Sequence, residues 1–103
     1  MRIAANRLQP PVDVERDHIL GRLDAAVTLV EYGDYQCRYC RRAQAGIKEL
    51  VKERLPNQLR YVFRHFPNTK LHPQARLAAE AAEAAAEQGA FWDMHDYLFH
   101  HPG

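Results

Sequence analysis

The sequence predicts an α/β domain, in which a strand-helix-strand unit builds a small, mainly parallel sheet of two or three strands and two helices follow. Three observations carry this. Residues 26–32 (Ala-Val-Thr-Leu-Val-Glu-Tyr) have the β-branched composition of a buried strand. Ala43, Ile47, Leu50, Val51 and Leu55 then recur at helical spacing, with Lys48, Glu49, Lys52 and Glu53 left for the solvent side. After Pro56-Asn57, residues 59–66 (Leu-Arg-Tyr-Val-Phe-Arg-His-Phe) again read as a strand. Such a unit makes a parallel pair with a right-handed crossover, so the loop after the first strand and the start of the helix lie at one edge of the sheet.

The elements follow in order. Residues 1–16 show no sustained period and Pro10-Pro11 denies them a regular helix, so they read as a leader or arm ahead of a domain at 17–103. Residues 17–20 suit a very short strand stopped by Gly21, and Gly33-Asp34 ends the strand at 26–32. Gly46 interrupts the long helix and is expected to mark a kink or a close approach. Pro67-Asn68 turns the chain; Pro73 opens a helix that runs through an Ala/Glu-rich stretch to Gln88 and ends at Gly89. A last helix covers residues 91–100, with Phe91, Trp92, Tyr97 and Phe99 expected to pack.

Composition bounds what such a domain does. The 103 residues allow one core, and of the 47% hydrophobic residues fifteen are alanine. Fourteen basic residues against thirteen acidic give a net charge of +1, which provides no field for nucleic acid or an anionic membrane. No apolar run is long enough to span a bilayer, and the first residues lack the apolar core of a secretory signal. The chain as written is expected in the cytoplasm, or in the periplasm if a signal segment was removed.

Chemistry is concentrated in Cys37-Arg38-Tyr39-Cys40, which follows a predicted strand and opens a predicted helix. Residues three apart share a helix face, so the two sulfurs come within disulfide reach across the first turn. Unpaired backbone N–H groups at the helix start favour the reactive thiolate of Cys37, and Arg38, Arg41 and Arg42 add positive charge, with no acid between Gln36 and Lys48. A Cys-x-x-Cys pair in this context points to thiol-disulfide exchange. Two alternatives remain: half of a zinc site completed by two of the six histidines, or an inert pair. The distance to His95 and His100, more than 50 residues beyond Cys40, and the long helix that the pair opens argue against zinc. His95 reads as a core or surface residue.

The segment from Val27 through Tyr32-Gly33-Asp34-Tyr35-Gln36 to Cys40 resembles the active-site segment of the DsbA-like branch of the thioredoxin superfamily. Phe63-Arg64-His65-Phe66-Pro67, residues 78–86 and Phe91-Trp92-Asp93-Met94-His95 resemble that branch in the same order, and the likeness runs from about Asp17 to Phe99. It implies a partial thioredoxin-like fold in which residues 72–103 begin a helical insertion. It also implies roles: Cys37 as exposed nucleophile, Cys40 as resolving thiol, and Glu31, six residues before Cys37, as a partly buried acid that relays the Cys40 proton. Arg38 and Arg41 are expected to stabilise the thiolate, Tyr39 and Tyr35 to meet substrate.

Two departures from the branch matter. Arg38 stands where close relatives commonly carry proline, so a cation beside the nucleophile predicts a more oxidising pair. No segment corresponds to the family's cis-proline loop, strand hairpin and final helix, so the chain reads as truncated within or after the helical insertion.

The expected function is therefore exchange of disulfides with cysteines of protein or peptide substrates through Cys37 and Cys40, without a bound cofactor, a metal, nucleic acid or a membrane. The alternative is a non-catalytic truncated domain acting in assembly or dimerisation. Its motive is the sheet: the missing second half leaves one side of the strand at 26–32 unpaired, which recruits a second copy through the exposed edge or through exchanged helices.

Overall fold

The two β-branched runs form the centre of the sheet. In the computed structural model, which describes residues 2–4 and 11–102, β3 (Val27–Gly33) pairs in parallel with β4 (Leu59–His65). Leu29 lies opposite Tyr61, Glu31 opposite Phe63 and Gly33 opposite His65. Alternation sends Leu59, Tyr61 and Phe63, with Leu29 and Glu31, to one face of the sheet and Val30 and Val62 to the other. Apart from the half-buried Leu29, all of these are buried.

Two short strands extend this pair to a four-stranded sheet in the order β1-β3-β4-β2. Strand β2 (His18–Leu20) pairs antiparallel with β4, inside the short strand expected at 17–20. Strand β1 (Arg2–Ala4) pairs antiparallel with β3, Arg2 opposite Tyr32 and Ala4 opposite Val30. The sheet is thus larger and more mixed than expected, with one parallel pair.

Strand β1 also corrects the expectation of an open edge. Three residues assigned to a leader supply backbone partners along residues 30–32, on the side of β3 that was to recruit a second copy. Residues 1 and 5–10 of that leader lie outside the described residues. Residues 11–17 are held against the sheet by Arg64, which donates to the Pro11 carbonyl at 3.1 Å and to both carboxylate oxygens of Asp17 at 2.9 Å.

Helix α1 (Arg38–Glu49) crosses between the parallel strands and buries Cys40, Gln44 and Ile47, and Val51 continues the stripe one turn on. The buried phase runs through Gln44, with Ala43 half-buried against the core as expected, whereas Leu50 and Leu55, expected inside, are 37% and 36% exposed. Beyond Glu49 the helix widens into a π-helical turn, Leu50–Arg54, closed by Leu55 N–H on the Leu50 carbonyl at 2.8 Å. Gly46 is not a close approach: nothing lies within 4 Å of the place its Cβ would take. The close approach is at Gly33, where a Cβ would sit 2.3 Å from Cε1 of Phe63.

Helix α2 (Ala75–Ala86) starts two residues after Pro73 and ends before Gly89, whose φ of +72° turns the chain into α3 (Phe91–His100). Helix α3 buries Phe91, His95 and Phe99, one side chain per turn. Trp92 packs partly buried against the core as expected, but Tyr97 does not: it is 57% exposed and stacks on His101, ring centroids 4.2 Å apart. Tyr35, Tyr61, Phe63, Phe91 and Phe99 make the aromatic centre between sheet and helices. Among the described residues, no helix is long and apolar enough to cross a membrane.

Candidate active site

The end of β3 and the start of α1 place both cysteines. Asp34, buried in the connecting turn, accepts from the Gln36 N–H (2.8 Å) and the Asn68 N–H (3.0 Å) and meets Nδ1 of His72 at 2.9 Å, which ties this turn to the one after β4. Its carbonyl accepts from the Cys37 N–H at 3.0 Å. Cys37 is consequently held in extended backbone (φ −78°, ψ 121°) as the N-cap of α1, where its sulfur accepts from the Cys40 N–H at 3.4 Å. Both cysteines are free thiols; Cys37 is half-buried and Cys40 fully buried one turn further on.

A cleft of about 290 Å³ opens beside Cys37, lined among others by Arg38, Tyr39, Phe66, Leu71 and His72. Tyr39, Phe66 and Leu71 are largely exposed, so the cleft offers apolar surface next to the accessible sulfur. Tyr39 thus sits where substrate contact was expected. Tyr35 does not: it is buried at 1% exposure, and its hydroxyl lies 2.9 Å from Nδ1 of His95. Arg38 shares the Cys37 cleft, with its guanidinium 5.9 Å from the Tyr39 ring centroid, whereas Arg41 lines a different groove, between α1 and α3, with Lys48, Asp96 and Phe99.

Beneath the cysteines the site is polar and sealed. Burial pushes the Cys40 thiol up to about 12, so it stays protonated until a neighbour takes the proton. Glu31 is fully buried; desolvation raises its carboxyl above the usual range, opposed by the nearby Tyr61 hydroxyl, Cys40 thiol and Gln44 amide. One carboxylate oxygen, Oε1, accepts from the Tyr61 hydroxyl at 2.5 Å and from Nε2 of Gln44 at 3.0 Å. The other, Oε2, is buried without a hydrogen-bond partner.

The chain of bonds continues outward. Oε1 of Gln44 meets Nε2 of His95 at 2.9 Å, and Nδ1 of His95 meets Tyr35. His95 is fully buried, and this burial pulls its ring down to about 3, so the ring is neutral. Because the Gln44 amide donates toward Glu31, its oxygen faces His95, and the histidine proton resides on Nε2. Tyr35, His95, Gln44 and Glu31 form one directed hydrogen-bonded series, each donating to the next, that ends on the acid under the dithiol, and Tyr61 donates to that acid from the other side.

Sequence reasoning missed Gln44 and Asp34 and treated His95 only as a core or surface residue. A signal for two of them was present. Gln44 stands at the core phase of a stripe through Cys40, Ile47 and Val51, and His95 between Phe91 and Phe99 at steps of four. A polar residue on a buried stripe must find a partner, and these two find each other. Among the described residues, no cluster of three potential metal ligands includes either cysteine.

A half-exposed cysteine capping a helix, a buried cysteine one turn on and a buried carboxyl below form a dithiol site on a partial thioredoxin-like fold. The chain matches the thioredoxin family model over residues 13–102 and belongs to that family. Its solved neighbours are DsbA-like. It superposes on BdbD from Bacillus subtilis (oxidised) with a TM-score of 0.74 at 30% identity, covering 86% of this chain and 49% of that one. A thioredoxin-like oxidoreductase from Silicibacter pomeroyi gives 0.73 at 41% identity, over 81% and 46%. A Na(+)/H(+) antiporter, NhaA 1 of Salinispora arenicola, is 53% identical over 96 residues, which are 93% of this chain and 14% of the antiporter. The chain thus spans about half the length of these solved neighbours and a small part of the antiporter.

Proposed function

We propose that this chain exchanges disulfides with cysteines of protein or peptide substrates through Cys37 and Cys40. The observation that carries the reading is the asymmetry of the pair: an accessible sulfur at a helix N-terminus, and a buried thiol held protonated above a buried carboxyl. In the reducing direction the Cys37 thiolate attacks a substrate disulfide, forms a mixed disulfide and expels one substrate thiolate, which takes up a proton from solvent. Cys40 then gives its proton to Glu31 and attacks the Cys37 sulfur. The second substrate thiolate leaves, and the two electrons of the dithiol have passed to the substrate. The oxidising direction runs through the same mixed disulfide. The exposed apolar side chains of Tyr39, Phe66 and Leu71 suit unfolded segments around a substrate cysteine.

The direct test is exchange with glutathione and with a disulfide-bonded peptide by the 103-residue chain. The expected result is a reversible equilibrium at a defined reduction potential, abolished by Cys37→Ser; turnover no faster than in Cys37→Ser would sink the reading.

The likeness to antiporter sequence favours a second reading, that such a dithiol unit works attached to a transport protein. Its test is sodium/proton exchange by an antiporter carrying this unit, measured with the pair oxidised and reduced; equal rates in both states exclude it.

A further inference from the structure

We propose that His18, His65 and Glu83 form a binding site for a divalent transition-metal ion of the zinc type, separate from the cysteine pair. Nε2 of His18 lies 2.6 Å, and Nε2 of His65 2.8 Å, from the same Glu83 oxygen, Oε2. All three donor atoms fall within 4.8 Å of one another. The residues come from β2, β4 and α2, so the fold and not a local turn brings them together.

Two imidazole nitrogens and one carboxylate oxygen are the three-ligand complement of an open zinc site, with the fourth position left to water. The donors exclude the alternatives: no thiolate is present, and one carboxylate without carbonyl ligands is a poor cage for calcium or magnesium. Tetrahedral ligands at zinc distances stand about 3.3 Å apart, so each histidine nitrogen moves outward from the Glu83 oxygen by roughly half an ångström, while the two nitrogens, within 4.8 Å of each other, settle to the same spacing.

The rings are already held. His18 stacks on Phe91 with centroids 3.6 Å apart and planes 6° apart, and His65 meets Phe63 and Tyr35 edge-on at 5.5 and 5.9 Å. Glu83 is half-exposed and lines an open cleft of about 710 Å³ together with Glu15 and Glu87, an entry path whose charge favours a cation.

Without metal, the Nε2–H groups of the two rings donate to one carboxylate oxygen. Metal binding replaces those two bonds and moves each ring proton to Nδ1. In His65 that atom is buried with no hydrogen-bond partner, so the tautomer change gives up no other bond. The bound ion would cross-link α2 to the sheet.

The test uses the full chain with Cys37→Ser and Cys40→Ser, so that thiolates contribute nothing, titrated with Co²⁺ and then with Zn²⁺. Expected are one Co²⁺ per chain at micromolar concentration, visible bands of a four- or five-coordinate nitrogen/oxygen site, displacement by Zn²⁺, and a rise in Tm with Zn²⁺. Glu83→Gln, at a half-exposed position that tolerates the change, is expected to weaken binding at least tenfold and to remove the Tm rise; His65→Gln gives the second variant. Absence of stoichiometric uptake, or uptake unchanged in Glu83→Gln, overturns the proposal. Neither outcome bears on the dithiol reading.

Discussion

His95 and Gln44 meet in the core: Nε2 of the ring donates to Oε1 of the amide across 2.9 Å, joining α3 to α1. The other end of the same amide donates to Glu31, so one side chain transmits the position of α3 to the acid under Cys40. This relationship gives the site its sharpest tests.

Burial holds the His95 ring at about 3, against 6.5 in a free side chain. The unfolded ring therefore binds a proton that the folded ring refuses, and stability present above pH 6.5 is lost as pH falls toward 3. Between pH 7 and pH 5 the loss from this residue is roughly 2 kcal/mol. Urea unfolding at the two pH values measures it. His95→Gln is expected to flatten the pH slope, and an unaltered slope contradicts the assignment.

Glu31 has the opposite sign. Its raised carboxyl holds its proton at a pH where the unfolded one has released it. Its stability contribution is therefore complete below about 4.5 and falls as pH rises through the folded value. Glu31→Gln is expected to be more stable at pH 7 by about 1 kcal/mol, since the neutral amide avoids ionising a buried group. The same change leaves Cys40 without a proton acceptor, so the mixed disulfide should resolve at least ~10-fold more slowly. Rapid-quench measurement of that intermediate decides it; an unchanged lifetime removes Glu31 from the proton path.

Gln44→Leu deletes a donor to the Glu31 carboxylate. A hydrogen bond to a charged group is worth about 1.5–3 kcal/mol, which moves the pH midpoint of the resolving step upward by about one to two units. General loosening of the core lowers the rate without moving the midpoint, so the pH profile separates the two.

Arg38 is exposed, and solvent screens its charge, which keeps its effect on Cys37 small. Arg38→Ala is expected to make the pair less oxidising by about 10 mV, as judged by equilibration with glutathione. A shift in the opposite direction rejects the role of this cation.

Two glycines are predicted to respond with opposite signs. Gly33→Ala drives a Cβ into the Phe63 ring under β3 and should cost about 1–3 kcal/mol. Gly46→Ala meets open space in regular helix and should stabilise by up to ~1 kcal/mol. Thermal unfolding of both variants reads the contrast.

The strand-helix-strand unit was legible because β-branched runs and helical spacing are local properties, and so was the placement of the cysteine pair between a strand end and a helix start. Strand β1 was not legible: three residues ahead of two prolines carry no period, and only the backbone of β3 turns them into a strand. Counting apolar residues along the helix and its π-helical end chose Leu50 and Leu55, which are exposed, and passed over Gln44, because a buried amide looks polar until its partner on another helix is known. Tyr35 shows the converse, as its place beside the motif suggested substrate while its ring belongs to the core.

By itself, the sequence determined a small α/β unit with a Cys-x-x-Cys pair at the mouth of a helix, since short-range spacing and backbone polarity suffice for that. Only the tertiary structure decided which edge of the sheet is covered, how completely Glu31 is buried beneath Cys40 and through which side chains α3 reaches it. It also decided that two histidines and a glutamate from three elements share one point in space. Burial and hydrogen-bond satisfaction are set by residues distant in sequence, and they convert ordinary polar side chains into a tuned site.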